Sequence, residues 1–394
     1  MIRIAHAHKR IPLAIGLLMA AGASQALDWT GYFRAGPGLT SNGTSRSCYA
    51  LNGGTQGMKY RLGNECDFYG EFQLSQGFKK DGIEYKVTLM TDYYDGSTDR
   101  TQGDWDIAQM YAEAKGFDIA PEATFWIGKE RGRRGDVHIV DTYFTEMVGV
   151  GAGAKGFTGL GPGKLGVAYY KTDKDSNERP GHRGNVEYVD AAVNEGGKLS
   201  VFGTVTKGQF SGGTNGWGLT FKHEQERLFG TALNNVIWLQ YAQGSTGLNS
   251  NFGNLTDTSA AKKYRIVESV NWQTGAWGGM AMVLYAHEKD NQGVATKSGS
   301  VGGRVSYAVT RNFKLLTEAG VSQYKPDGGE TARLTKLTFA PTLSVGPALM
   351  DRPEFRLYVT HAKWNRAAGN VTNNVNWEDK TSGTSFGAQV EMWF

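Results

Sequence analysis

The segment Ser385 to Phe394, SFGAQVEMWF, most constrains what this chain can fold into. Phe386, Ala388, Val390, Met392 and Phe394 share one face of an extended segment; Ser385, Gly387, Gln389, Glu391 and Trp393 share the other. Side chains alternate across a strand with period two, so this segment has one apolar and one polar side. A helix would scatter both sets around its circumference.

The same alternation recurs. In LDWTGYFRAG, Trp29, Gly31, Phe33 and Ala35 oppose Asp28, Thr30, Tyr32 and Arg34. In DFYGEFQLS, Phe68, Phe72 and Leu74 oppose Asp67, Tyr69, Glu71 and Gln73. In IEYKVTL, Ile83, Tyr85, Val87 and Leu89 oppose Glu84, Lys86 and Thr88. Further alternating or aromatic-rich runs lie at Lys164–Tyr170, Gly216–Lys222, Val236–Tyr241, Ile266–Trp272, Ala281–Tyr285, Val301–Tyr307, Leu315–Gly320, Leu334–Phe339 and Phe355–Thr360. Turn-rich stretches such as DGSTD, KDSNERPG, SGGTN, KDNQG, KPDGG and GNVTNN separate them, and longer and tighter connections are expected to alternate. With 55 Gly and only 9 Pro beside 10 Trp, 18 Tyr and 18 Phe, the composition also favours strands and turns over helices. A mean hydropathy of −0.42 fits a soluble protein equally well as a membrane barrel whose strands alternate.

The first residues point to export. Arg3, Lys9 and Arg10 precede the uncharged run Ile11–Ala23, and small residues surround Ala26. That is the pattern of a secretory signal peptide over 1–26, with the mature chain at 27–394. No later segment has eighteen consecutive apolar residues, the length that marks a membrane-spanning helix. Removing Arg3, Lys9 and Arg10 from 42 basic residues leaves 39 against 38 acidic ones. This balance offers no argument for a nucleic acid partner. An exported protein with two cysteines, Cys48 and Cys66, is expected to pair them, closing what reads as a stapled surface loop.

Alternating strands also build soluble sandwiches and jelly rolls. The aromatic-ended last strand, with apolar residues stepping back by two, favours an all-β transmembrane antiparallel barrel as one domain. The 394 residues less 26 leave 368. Eighteen strands would take about twenty residues each with their connections, and sixteen fit nearly as well.

Three polar faces then carry an aromatic where a wet lumen is expected: Tyr32 beside Arg34, Tyr69 beside Glu71, and Trp393 beside Glu391. Closure makes the first and last strands neighbours, so these rings can form a stripe. Rings beside charges suit a sugar, whose C–H faces stack on aromatics and whose hydroxyls bond to charged groups.

On these residues, and on KYRLGNEC, GKERGRRGDVHIVDTYF with the following GVGAG, NGWGLT, HAKW and EMWF, the chain resembles the maltoporins, trimeric sugar-specific porins of the bacterial outer membrane. The resemblance implies eighteen strands, an inward-folded constriction loop, a homotrimer in outer-membrane lipid, and passage of maltose and maltooligosaccharides by facilitated diffusion. It implies an aromatic slide of Tyr32, Tyr69 and Trp393, with Trp105 matching the tryptophan that a neighbouring subunit contributes. It implies a polar track of Arg34, Arg61, Glu71, Arg134, Asp136 and Asp141, with Tyr143 narrowing the constriction and Cys48–Cys66 as the first-loop disulfide. Phage contact through the external loops is left open.

There are departures. Met350 stands where the family has a slide tryptophan, and the mid-chain slide phenylalanine falls near Leu233 or Asn234. Trp238 is a candidate substitute. An expected arginine has no counterpart near Gln109–Tyr111. These departures put the expected gap in the middle-to-extracellular stretch of the slide. A porin for another oligosaccharide, such as sucrose or an aryl glucoside, and a general or ion-selective porin are the alternatives.

The window Arg131–Phe144 admits other readings. Arg134-Gly135-Asp136 spells an adhesion triplet, which needs an exposed turn. Asp136, His138 and Asp141 lack the spacing of a strong metal signature, and His138 reads as a hydrogen-bonded loop residue. Glycoside hydrolysis needs one carboxyl of raised pKa, whereas arginines around Asp136 and Asp141 favour ionisation of both. With no nucleophile constellation visible, no catalytic residue, metal or cofactor is expected. Arg131, Arg133 and Gly135 receive no role.

Overall fold

A computed structural model describes residues 26–41, 46–51, 58–96, 103–172, 179–369, 371–372 and 379–394. The expected signal peptide lies outside the described residues except for Ala26, and DGSTD, KDSNERPG and GNVTNN lie partly outside them. Among the described residues nineteen strands form one antiparallel sheet that closes on itself. Closure joins the first strand, Asp28–Ala35, to both Phe68–Lys80 and the last strand, Ser382–Trp393. The short strand Gly38–Thr40 continues the first one along the last strand. Pro37, which has no N–H for the ladder, interrupts them. The two pieces make one stave, so the barrel has eighteen.

All nine further runs predicted from Lys164 onward fall inside observed strands. Alternation is the reason. In Ala332–Ser344, Leu334, Lys336, Thr338 and Thr342 are buried inside, while Leu337, Phe339 and Leu343 are exposed outside. In Glu354–Trp364, Glu354, Arg356 and Thr360 face in, and Phe355, Leu357 and Val359 face out. Charge inside and apolar surface outside invert a soluble protein, as a lipid-facing barrel requires.

The connections 41–67, 245–261 and 365–381 lie at one end; the tight turns 81–82, 195–196 and 275–276 lie at the other, with both termini of the barrel. By that asymmetry the long-connection end is extracellular. The expected alternation of longer and tighter connections holds for these extremes but not throughout, since 345–353 at the short-turn end is longer than 290–294 at the other.

The cysteines are paired, Cys48 to Cys66, but the segment they close is not a surface loop. Its described residues fold into the lumen. Tyr49, Leu51, Met58, Tyr60 and Leu62 are all buried there. Burial of such side chains is worth about 1.5–3 kcal/mol each, which draws the segment inward. Tyr60 lies against Gly302 and Gly320, neighbours on adjacent strands, where an added Cβ would come within 2.3 and 2.2 Å of its ring. Its hydroxyl bonds to Ser300 at 2.8 Å. Leu62 N–H donates to Glu318 at 2.8 Å, and Lys336 Nζ donates to the Tyr49 carbonyl at 2.9 Å.

The constriction element is likewise not an irregular loop. It is the top of a β-hairpin, Thr124–Val137 and Thr142–Phe157, whose tip is 138–141. Thr124–Val137 pairs with the wall strand before it only as far as Lys129, and its partner rejoins the wall at Gly151. Between those points the hairpin leaves the wall and crosses the lumen. Val137, Ile139, Val140 and Phe144 pack with Met58, Tyr60, Trp238, Val267, Met282 and Leu284 in the largest interior cluster. Trp238 is therefore core beneath the hairpin, 5.3 Å from the Phe144 ring, and not a slide residue.

Candidate functional site: a lumenal constriction

Two β-bulges aim the hairpin's side chains. Residues two apart on a regular strand share a face. Arg131 pairs with Val148 and Arg133 with Met147, so Gly132 is an extra residue and its two neighbours point to opposite walls. A Cβ at Gly132 would approach Glu130 Oε2 to 3.0 Å. Arg131 reaches Glu71, and its Nη2 lies 3.2 Å from Asp92. Its backbone N–H donates to Gln109 at 3.0 Å, so this arginine reaches the place where the sequence lacks one near Gln109–Tyr111. Arg133 forms a fork on Glu187, both bonds 2.9 Å. The second bulge leaves Phe144 unpaired opposite Gly135–Asp136 and turns it into the core, while Tyr143 stays in the lumen.

The two arginines without a role in the sequence are therefore struts. Apolar burial seats the hairpin, and the fork from the partly exposed Arg133 to the buried Glu187 braces it. Glu187→Gln is accordingly expected to leave the barrel folded and to raise open-channel current noise. Tyr143→Ala should raise mean single-channel conductance without that noise. Planar-bilayer recordings check both, and identical traces would remove hairpin and tyrosine from the pore's narrowest point.

Tyr32, Arg34, Arg61, Tyr69, Glu71, Arg134, Asp136, His138, Asp141, Tyr143 and Trp393 line one cavity of about 280 Å3 beside the hairpin. All the expected slide and track residues meet there except Trp105. Register explains the stripe: Tyr32 lies opposite Trp393 on the last strand, and Arg34 opposite Tyr69 on the next. Each ring also has a cation on it. Arg34 Cζ is 5.0 Å from the Tyr69 centroid, Arg61 Cζ 5.8 Å from Tyr32, and Arg352 Cζ 4.5 Å from Trp393. Such contacts hold the rings in place.

Trp105 is 62% exposed on the outer surface, against Phe72 and Tyr93. Met350 lies in the 345–353 turn and Leu233 begins its strand, both at the short-turn end. The gap in the aromatic strip is therefore at the periplasmic end, not in the middle-to-extracellular stretch.

The polar groups divide into two sets. Arg34, Arg61 and Glu71 are buried and paired. Arg34 holds Glu65 at 2.9 Å and Asp67 at 2.6 Å; Arg61 holds Glu65 at 2.8 Å and Glu391 at 3.1 Å. Arg134 and Asp136 are exposed to the lumen, with Arg134 stacked 4.1 Å over Tyr143 and hydrogen-bonded to its hydroxyl. The Arg-Gly-Asp triplet thus sits inside a pore. His138 lies between Arg61 and Arg352, its Nε2 accepting from Arg352 at 3.2 Å. Burial and these cations, against Glu391, push its pKa well below the ordinary value, so it is neutral. Among the described residues no group of three His, Cys, Asp or Glu side chains is placed to hold a metal.

Asp141 caps the tip with Arg34 at 3.2 Å and Lys59 at 3.1 Å. Burial raises its pKa, but Arg61, Lys59 and Arg34 outweigh burial and bring it down to about 2. A depressed carboxyl contributes fully above its unfolded value of about 3.9 and loses that contribution as pH falls through the folded value. The difference in sugar affinity between the wild type and Asp141→Asn is therefore expected to stay constant from pH 7 to pH 4. Current-block titrations check it; a difference that vanishes by pH 4 would contradict the assignment.

Sequence reasoning gave no role to Lys59, Glu65 and Arg352, nor to Asp67 on its polar face, which complete the charge pairing. It set Glu391 on the lumenal face beside Trp393 without seeing that Tyr32, Arg61, Arg352 and Arg356 all converge on it.

A family model described as LamB porin matches residues 27–394. The chain belongs to the LamB porin family. The resemblance to maltoporins is borne out, and the protein is an outer-membrane channel, not an enzyme. Solved structures show the same fold at low identity. Acinetobacter baumannii OccAB2 is 11% identical, with 93% of this chain and 98% of that one covered and a TM-score of 0.51. Pseudomonas aeruginosa OpdK, solved with vanillate, is 8% identical over 93% and 99%, TM-score 0.51. OccD3 of the same organism is 9% identical over 95% and 92%, TM-score 0.50.

Proposed function

We propose that this LamB-family porin is a sugar-selective channel that passes maltose and maltodextrins by facilitated diffusion. The observation that carries the reading is the shared cavity, where Tyr32, Tyr69 and Trp393 stand beside the lumen-exposed Arg134 and Asp136 and the half-buried Tyr143. A pyranose stacks its C–H face on the rings and exchanges hydroxyl bonds with that polar set. Arg34, Arg61, Glu71 and Asp141 act mainly by holding the rings and the hairpin tip. Binding must be weak enough for release into the periplasm, and no energy input is needed.

The channel works as a homotrimer in this reading. The aromatic patch of Phe72, Tyr93 and Trp105 on the outer wall supports it, since a partner there would cover Trp105.

The test is block of ion current through the reconstituted protein, titrated with maltose, maltotriose, sucrose and an aryl glucoside. Maltotriose is expected to block at millimolar concentration or below and better than maltose. Stronger block by sucrose or the aryl glucoside would assign another oligosaccharide. Current that ignores all four would leave a general diffusion porin.

A further inference from the structure

We propose that the extracellular rim over strands Lys262–Thr274 to Phe313–Pro326 is a binding surface for phosphate-bearing lipid headgroups of the outer leaflet. Strand parity puts Lys262, Lys289, Lys297 and Lys325 on the outer face, all exposed, in line with the lipid-facing Ile266, Val283, Val301 and Tyr285. Register sets like charges side by side. Lys262 lies directly opposite Lys289; Lys297 lies between His287 and Lys325.

Like charges directly opposite one another destabilise a sheet unless an anion lies between them. The protein does not supply one. Among the described residues no carboxylate pairs with these four lysines. Three of the nearby acids are engaged elsewhere. Asp257 holds Lys263 at 3.0 Å, Asp290 accepts the backbone N–H groups of Gln292 and Val294, and Asp327 accepts that of Ala295. Glu288 faces the other side of the wall by parity.

Position selects the ligand. One step inward along the same face, Tyr264 stacks on His287 with centroids 5.0 Å apart, the aromatic level that marks a membrane interface. At the opposite ends of these strands the outward residues are Trp277 and Tyr307, paired at 4.6 Å, and no lysine rows stand among them. On these four strands the row of outward lysines thus stands only at the end facing outside. A free anion would have no need of this alignment, whereas a lipid places its acyl chains along Ile266 and Val301 and its phosphate beside the lysines.

The test uses the full-length protein in mixed micelles with diphosphoryl lipid A, its dephosphorylated counterpart, and inorganic phosphate. The wild type is expected to retain the diphosphoryl lipid at least about tenfold more tightly than the dephosphorylated one, with an affinity that falls as salt rises. The variant Lys262→Gln/Lys289→Gln/Lys297→Gln/Lys325→Gln should lose that preference. Lys79→Gln/Lys80→Gln/Lys198→Gln, at the other end of the barrel, should keep it. Unaltered channel conductance shows that the first variant is folded. Equal retention by wild type and that variant overturns the proposal, as does displacement of the lipid by inorganic phosphate at comparable concentration.

Discussion

Tyr69→Ala/Trp393→Ala is expected to bind maltotriose about 100-fold more weakly than the wild type, with the channel still open to ions. A well-stacked ring is worth about 1–1.5 kcal/mol beyond its area, or roughly tenfold in affinity, so two rings give two factors of ten. The two residues occupy different strands of the same cavity, and each ring is lost without breaking the first-strand hydroxyl bond of Tyr32 to Glu391 at 3.0 Å. Tyr69→Phe keeps the ring and loses the hydroxyl's bonds to Glu71 and Arg131, and is expected to stay near wild type. Current block by maltotriose reads all three. A double variant within threefold of the wild type would mean that sugar does not travel on these rings.

The second large effect is on stability. Glu391 is fully buried and gathers Arg352 at 2.9 Å, Arg61 at 3.1 Å and Arg356, with the Tyr32 hydroxyl donating to it. Glu354 balances the same group from the neighbouring strand, contacting Arg352 at 3.0 Å and Lys314 at 2.7 Å. Removing one partner of a buried ion pair leaves an uncompensated charge and costs about 3–5 kcal/mol. Glu391→Gln is therefore expected to lower the urea midpoint of the detergent-solubilised protein by about 1 M or more. It should also weaken sugar block, because Tyr32, Arg61 and Arg352 lose their common anchor. An unchanged midpoint would show that the arginines find other carboxylates or water.

Much of the wall was legible because each wall strand must satisfy lipid on one side and water on the other, and alternation records that demand directly. The legibility failed where the inner side is not wet. The strands Asp104–Lys115, Thr124–Val137, Thr142–Phe157, Gly181–Asn194 and Gly197–Gly208 gave no clear alternating signal. Behind the hairpin the inner wall carries Trp126, Met147, Tyr170, Val189 and Phe202, a packed apolar cluster, so apolar residues stand on both faces there. The same cause hid the first connection. Its glycines and serines read as surface, but Tyr49, Met58, Tyr60 and Leu62 needed a floor that only the glycines of two distant strands provide.

Sequence by itself determined the closed barrel, the lumenal face of each recognised strand, and the rings and charges that meet at the constriction. Those follow from period-two alternation and from a family pattern carried on local residues. Only the tertiary structure decided that Arg131 and Arg133 brace opposite walls, that Arg34 and Arg61 are spent on Glu65, Asp67 and Glu391, and that Trp238 lies beneath the hairpin. A one-residue bulge at Gly132 reverses the side to which an arginine points, and the charges that pair are up to hundreds of residues apart in the chain. Neither register nor long-range pairing leaves a periodic mark on the sequence, because both are set by which strands closure makes neighbours.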